Sequence, residues 1–158
     1  MAALASSPVG AAEPQIASCE ILHAGIYASD SGTSVTRDSH GVLIHGGGQL
    51  PKLALSTTTI PLKSGVSFGF EYRINGAPDG AGVTIRDVLH YPEPGGTPPG
   101  STARLLVAPS DDNALINRGF FEIYTLEEPW ELLPGEWRFE LWFGDRELCS
   151  QEFTLVAQ

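Results

Sequence analysis

Positive charge is scarce in this sequence. Nine lysines and arginines stand against nineteen aspartates and glutamates in 158 residues, a formal net charge of -10. A protein that grips nucleic acid or an anionic membrane must neutralise phosphates with basic side chains, so those partners are excluded. Long apolar runs are missing as well. None approaches the roughly 18 residues that a membrane-crossing helix needs. No segment keeps a helical apolar period over several turns, which argues against an α-rich domain. A Walker loop and a dinucleotide fingerprint are both absent, and no cofactor is expected. Cysteine is nearly absent too. Cys19 and Cys149 lie near opposite ends, without the CxxC pair or nearby histidine that a metal site needs. A bridge between them would close most of the chain into a loop, and a sandwich with neighbouring first and last strands allows it. Two separate buried thiols are the alternative, since free cysteine packs as a small hydrophobe. So low a count is not that of a disulfide scaffold, which favours the thiols.

The first fifteen residues, MAALASSPVGAAEPQ, lack the basic and long apolar regions of a signal peptide. Their Ala-Ser-Pro composition reads as a flexible lead-in over 1–15, ahead of a single domain at 16–158. The compartment stays open: cytoplasmic, or periplasmic or secreted if the N-terminus is a trimmed one. Oligomeric state leaves no signature in the sequence.

What is present is strand pattern and turn chemistry. Apolar residues make up 42% of the chain, which argues against disorder. Val66, Phe68, Phe70, Tyr72 and Ile74 alternate with Ser67, Gly69, Glu71 and Arg73, the mark of a strand buried on one face. Trp137, Phe139, Leu141 and Phe143 alternate in the same way with Arg138, Glu140 and Trp142. Gly144-Asp145 then suits a two-residue hairpin turn, with glycine in the first central position. The return strand runs over 146–156, with Cys149, Phe153 and Leu155 on one parity. Weaker strands are expected at 16–27, 41–45, 53–62, 82–91, 102–108 and 119–126. Eighteen glycines and twelve prolines supply the turns between them. The longest irregular stretches, 92–100 and 109–118, are expected to be loops. About nine short strands with such punctuation mean an all-β sandwich or barrel. In Leu133-Pro134-Gly135-Glu136-Trp137 a Pro-Gly turn delivers a large aromatic into a late strand, where it can pin the turn to the core.

Three segments together carry a resemblance. They are Gly25-Ile26-Tyr27, the run from Thr58 through Ile60-Pro61-Leu62-Lys63-Ser64-Gly65 to Phe70, and Glu128-Pro129-Trp130-Glu131-Leu132-Leu133-Pro134-Gly135-Glu136-Trp137. The last continues through Phe139 and Gly144-Asp145-Arg146 to Phe153. In this order they resemble a bacterial domain-of-unknown-function family, number 3859 in that series. The likeness covers about 20–157 in outline, is strongest at 58–74 and 126–156, and is weak across 28–52 and 92–118. It implies an immunoglobulin-like β-sandwich of about eight to nine antiparallel strands and supplies no catalytic residue. Many members look exported; this chain departs from them in lacking an evident signal peptide.

Candidate chemistry is thin. Gly65-Val66-Ser67-Phe68-Gly69 matches the nucleophile elbow G-x-S-x-G, which needs a sharp strand-to-helix turn. The alternation runs straight through Ser67, so an outward-facing strand residue is expected and a small serine hydrolase is the least favoured reading. His23, His40, His45 and His90 do not converge; His90 with Glu93 is the one His–carboxylate pair a loop could bring together. Asp38-Ser39-His40 has triad residue types, but sequence neighbours diverge. Asp111-Asp112-Asn113 lacks the spacing of a calcium loop and reads as a turn with exposed carboxylates. No metal site is expected.

The charge is uneven. Eleven acidic and three basic residues fall in 111–158, where most of the aromatics also lie. Trp142 has the outward parity of Arg138 and Glu140. With Tyr124 or Trp130 it would form an exposed aromatic patch rimmed by carboxylates, suited to a basic protein or a sugar face. The plainer alternative is a Trp142 covered by a loop. The functional expectation is a non-catalytic binding or accessory module that recognises a protein partner, with a carbohydrate-binding module as the alternative.

Overall fold

A computed structural model describes residues 12–28, 34–46 and 50–158. Residues 1–11 of the expected lead-in, and Gly47 and Gly48, lie outside the described residues. The strands are β1 (Gln15–Ala28), β2 (Ser34–Arg37), β3 (Leu43–Gly46), β4 (Lys52–Ser56), β5 (Thr59–Pro61), β6 (Ser67–Ala77), β7 (Gly82–His90), β8 (Val107–Leu115), β9 (Gly119–Thr125), β10 (Gly135–Phe143) and β11 (Arg146–Val156). Among the described residues a single 3-10 turn, at Pro129–Glu131, interrupts them.

Two sheets hold the core between them. One has the order β4-β1-β6-β9, the other β5-β11-β10-β7-β8, and β2 and β3 form a separate ribbon. All pairs are antiparallel except β5 with β11. The alternation of β6 buries Phe68, Phe70, Tyr72 and Ile74 against Trp137, Phe139 and Leu141 of β10. Phe68 meets Trp137, Phe139 and Phe153 edge-on, with ring centroids 5.6, 6.1 and 5.2 Å away. Edge-to-face contact is the arrangement that aromatic quadrupoles favour. Trp137 also donates from Nε1 to the carbonyl of Leu133, 3.0 Å away, so the aromatic after the Pro-Gly turn does fasten that turn. Gly144, at φ 57°, takes the first central position of the β10–β11 hairpin, where a side chain would be strained.

Several boundaries differ from the sequence reading. The strand expected over 53–62 is two strands, β4 pairing with β1 and β5 with β11, so this stretch passes from one sheet to the other. No strand covers 102–106, and the loop expected at 109–118 is mostly β8. Among the described residues β8 pairs only with β7, and it is exposed along most of its length. An edge strand with little to bury needs no apolar alternation and accommodates Pro109. Asp111-Asp112-Asn113 is therefore strand, not turn. The stretch 92–100 is irregular, as expected.

The reading of Cys19 and Cys149 as separate thiols is corrected: they form a disulfide with a Cα–Cα distance of 5.8 Å. β1 and β11 belong to different sheets, so the bridge ties one sheet to the other. On the opposite side of the sandwich, β9 stands near β7 and β8, and the β2–β3 ribbon borders the gap.

Candidate functional site

The outer face of the five-stranded sheet carries part of the expected site. Register sets Arg138 between His90 and Glu152, and Trp142 between Arg86 and Glu147. Arg138 donates from Nε to Glu140 at 3.0 Å, from Nη1 to Glu152 at 2.9 Å and from Nη2 to Glu147 at 3.0 Å. The Trp142 indole donates to the other oxygen of Glu140 at 2.8 Å. Partial burial pushes Glu140 up, but the bonds from Trp142 and Arg138 outweigh it and hold the carboxyl below its ordinary value. His90 Nε2 stands 2.9 Å from Glu140 Oε1, a close approach that lacks hydrogen-bond alignment.

Tyr124 and Trp130 do not join this group. Tyr124 points into the sandwich, its ring 5.1 Å from Trp137, and its hydroxyl donates to the buried Glu131 at 2.7 Å. Trp130 sits in the 3-10 turn, beside Tyr91, and donates to Glu128. The pleat of β10 is the reason: it sends Trp137 inward, toward Tyr124, and Trp142 outward. The five residues expected to share one patch thus divide into an outer trio, Trp142, Arg138 and Glu140, and an inner pair.

A second place was not anticipated. On β7 the inward parity reads Val83, Ile85, Asp87, Leu89, and on β9 it reads Phe120, Glu122, Tyr124, so each strand turns one carboxylate toward the core. Asp112, on β8 beside Ile85, has the same orientation. One carboxylate oxygen of each of Asp87, Asp112 and Glu122 lies within 4.8 Å of the other two. Asp87 is only 9% exposed, and its Oδ1 has no hydrogen-bond partner. Burial pushes Asp87 up to about 7, a hydrogen bond with the Glu122 carboxyl opposes the rise, and Asp112 adds repulsion. Burial, then the charges of Asp87 and Asp112, raise Glu122 well above the carboxylate range. Asp87 and Glu122 border a cavity of about 530 Å³, walled by Leu89, Tyr91, Tyr124 and Phe139 and by Val42–Ile44 of the ribbon segment. Arg37 of β2 forks onto both oxygens of Glu128, at 2.8 and 2.9 Å, and so fixes the ribbon to the 3-10 turn. The signal that would have found this place is an acid at the inward parity of two strands.

The remaining candidates are structural in their contacts. Ser67 opens β6 and bonds Thr125 Oγ1 at 2.7 Å, and the strand runs on to Ala77 without an elbow. It is buried rather than outward-exposed, because Tyr27 and Thr125 flank it on a central strand. Asp38 accepts from the backbone N–H groups of His40 and Val42, shaping the loop between β2 and β3. His23 is exposed, His40 Nε2 lies 3.2 Å from the carbonyl of Pro109, and His90 faces Glu140 rather than Glu93. The His45 side chain lies outside the described residues.

The family model described as a domain of unknown function (DUF3859) matches residues 15–155. No protein among the curated ones matches. A solved structure of an immunoglobulin-like protein from Pseudomonas aeruginosa is similar at 22% identity and a TM-score of 0.58. The match covers 89% of this chain and 98% of that one, and it speaks for the fold.

Proposed function

We propose that this chain, which belongs to the DUF3859 family, is a non-catalytic binding module that recognises a protein partner through the outer face of its five-stranded sheet. One observation carries the reading: a single guanidinium, Arg138, is shared among Glu140, Glu147 and Glu152, the first two of which neighbour Trp142, leaving an acidic excess beside an aromatic plane. A basic segment with an apolar stem suits such a face. Its charge meets Glu147 and Glu152, and its methylenes or guanidinium lie against the indole. The non-catalytic part is supported by Ser67, whose hydroxyl is engaged by Thr125 on an unbent strand. The bridge between Cys19 and Cys149 supports work in an oxidising compartment, periplasmic or extracellular.

The test is affinity capture of partners by the oxidised protein, followed by titration of the recovered partner. Trp142→Ala should weaken binding at least tenfold, and the paired change Glu147→Gln and Glu152→Gln should weaken it at low salt and flatten its dependence on salt. Partner binding unchanged by all three substitutions would sink the reading. Quenching of Trp142 fluorescence by a polysaccharide, with no protein captured, would move the assignment to carbohydrate.

A further inference from the structure

We propose that Asp87, Asp112 and Glu122 form a binding site for a hard divalent cation of the calcium type, set between the two sheets. The site stands apart from the outer face of the five-stranded sheet, and neither proposal depends on the other. Its three ligands come from three strands of two sheets, β7 and β8 on one side and β9 on the other. Their nearest oxygens all fall within 4.8 Å of one another. Calcium–oxygen bonds run about 2.3–2.6 Å, so ligands on opposite sides of one ion stand roughly twice that apart. The spacing therefore fits a single ion without rearranging the sheets.

Two further facts point to a cation as ligand. Asp87 Oδ1 is buried with no donor, an arrangement that buried carboxylates avoid unless an ion or a proton completes it. Among the described residues no lysine, arginine or histidine forms an ion pair with any of the three carboxylates. Three clustered acids thus have no internal counter-charge. The donor set is all carboxylate oxygen, which selects hard cations over zinc or copper. Three carboxylates offer three to six oxygens, according to whether each binds with one or both. Asp112, exposed on the edge strand, leaves room for the waters that complete a calcium shell, and gives the ion a way in.

Terbium(III), a luminescent stand-in for calcium, provides the direct measurement. Tyr72 lies close enough to feel the charges of all three acids, so exciting the aromatic residues should sensitise bound terbium. The full oxidised chain, stripped of metal and held at pH 8, should show saturable emission with one ion per chain. Calcium chloride should displace the signal and raise the melting temperature. Asp87→Asn and Glu122→Gln should each weaken binding at least tenfold, while Trp142→Ala leaves it unchanged. Should a buried substitution prevent folding, Asp112→Asn, at an exposed position, decides the matter: it must weaken terbium binding. Absence of emission and of any thermal shift in the natural sequence overturns the proposal and leaves a proton-sharing carboxyl pair. Emission that survives Asp112→Asn, or the paired change Asp87→Asn and Glu122→Gln, overturns it in favour of loose binding at surface acids.

Discussion

Phe68 shows how much a single side chain carries. It is fully buried and touches the rings of Trp137, Phe139 and Phe153, which come from both strands of the late hairpin. Phe68→Ala would leave a cavity that three rigid rings cannot collapse into, and should cost about 3–5 kcal/mol in chemical denaturation. A loss under about 1 kcal/mol would mean that the rings do repack. These inward aromatics were legible in the sequence, because period-two alternation needs only residue type and spacing. Asp87 and Glu122 were not, for the same reason. An acid at an inward position breaks the apolar pattern that is being counted, and its neighbours across the sheets cannot be seen along the chain. Trp142 was placed on the correct face, but its distance from Tyr124 depends on which way each strand's pleat faces in the assembled sandwich.

At the scale of elements, strands that bury one face were legible and strands that bury little were not. β6, β10 and β11 announce themselves through their aromatic faces. β8 carries Pro109, Ser110, Asp111, Asp112 and Asn113, a composition that reads as loop, and it is strand because β7 offers it a free edge. The β2–β3 ribbon borders the cavity and depends on a contact far away in sequence, the fork from Arg37 to Glu128. Arg37, then Trp130, holds Glu128 down to about 2, against an upward push from partial burial. A carboxyl lowered in the folded state stabilises it fully above its unfolded value of 4.5, and that contribution fades as pH falls toward 2. The pair is partly exposed, so the global effect should be small. The local one should be clear. The Trp130 indole N–H, which shares an oxygen of Glu128, should shift in NMR with a midpoint near 2. In Glu128→Gln at neutral pH, the amides of Leu43 and Ile44 should exchange faster. An indole signal that titrates near 4.5 would show that the fork does not persist in solution.

For the whole molecule, the sandwich is tied on one side and more open on the other. The bridge from Cys19 to Cys149 spans 130 residues. Chain-entropy reasoning gives a closure of that length roughly 5 kcal/mol of stabilisation. Reduction should therefore lower the denaturation midpoint markedly, and alkylation after denaturation without reductant should label no cysteine. Full labelling would return the protein to two separate thiols. The architecture was legible from turn and strand counts, whereas the bridge was not, because two cysteines say nothing of which strands lie face to face. The acidic bias read along the chain also divides in space. Part of it surrounds Trp142 outside the sheet, and part of it is folded inside.

The same bridge changes what a cut in the backbone means. Nearly every strand lies between the two cysteines, so a protease that nicks the chain once anywhere between them produces no separate fragments. The halves stay covalently joined, and that one cut adds one water to an otherwise unchanged mass. On a gel without reductant the nicked protein would run as a single band, and only thiol would reveal the pieces. A single clip therefore leaves the protein covalently whole.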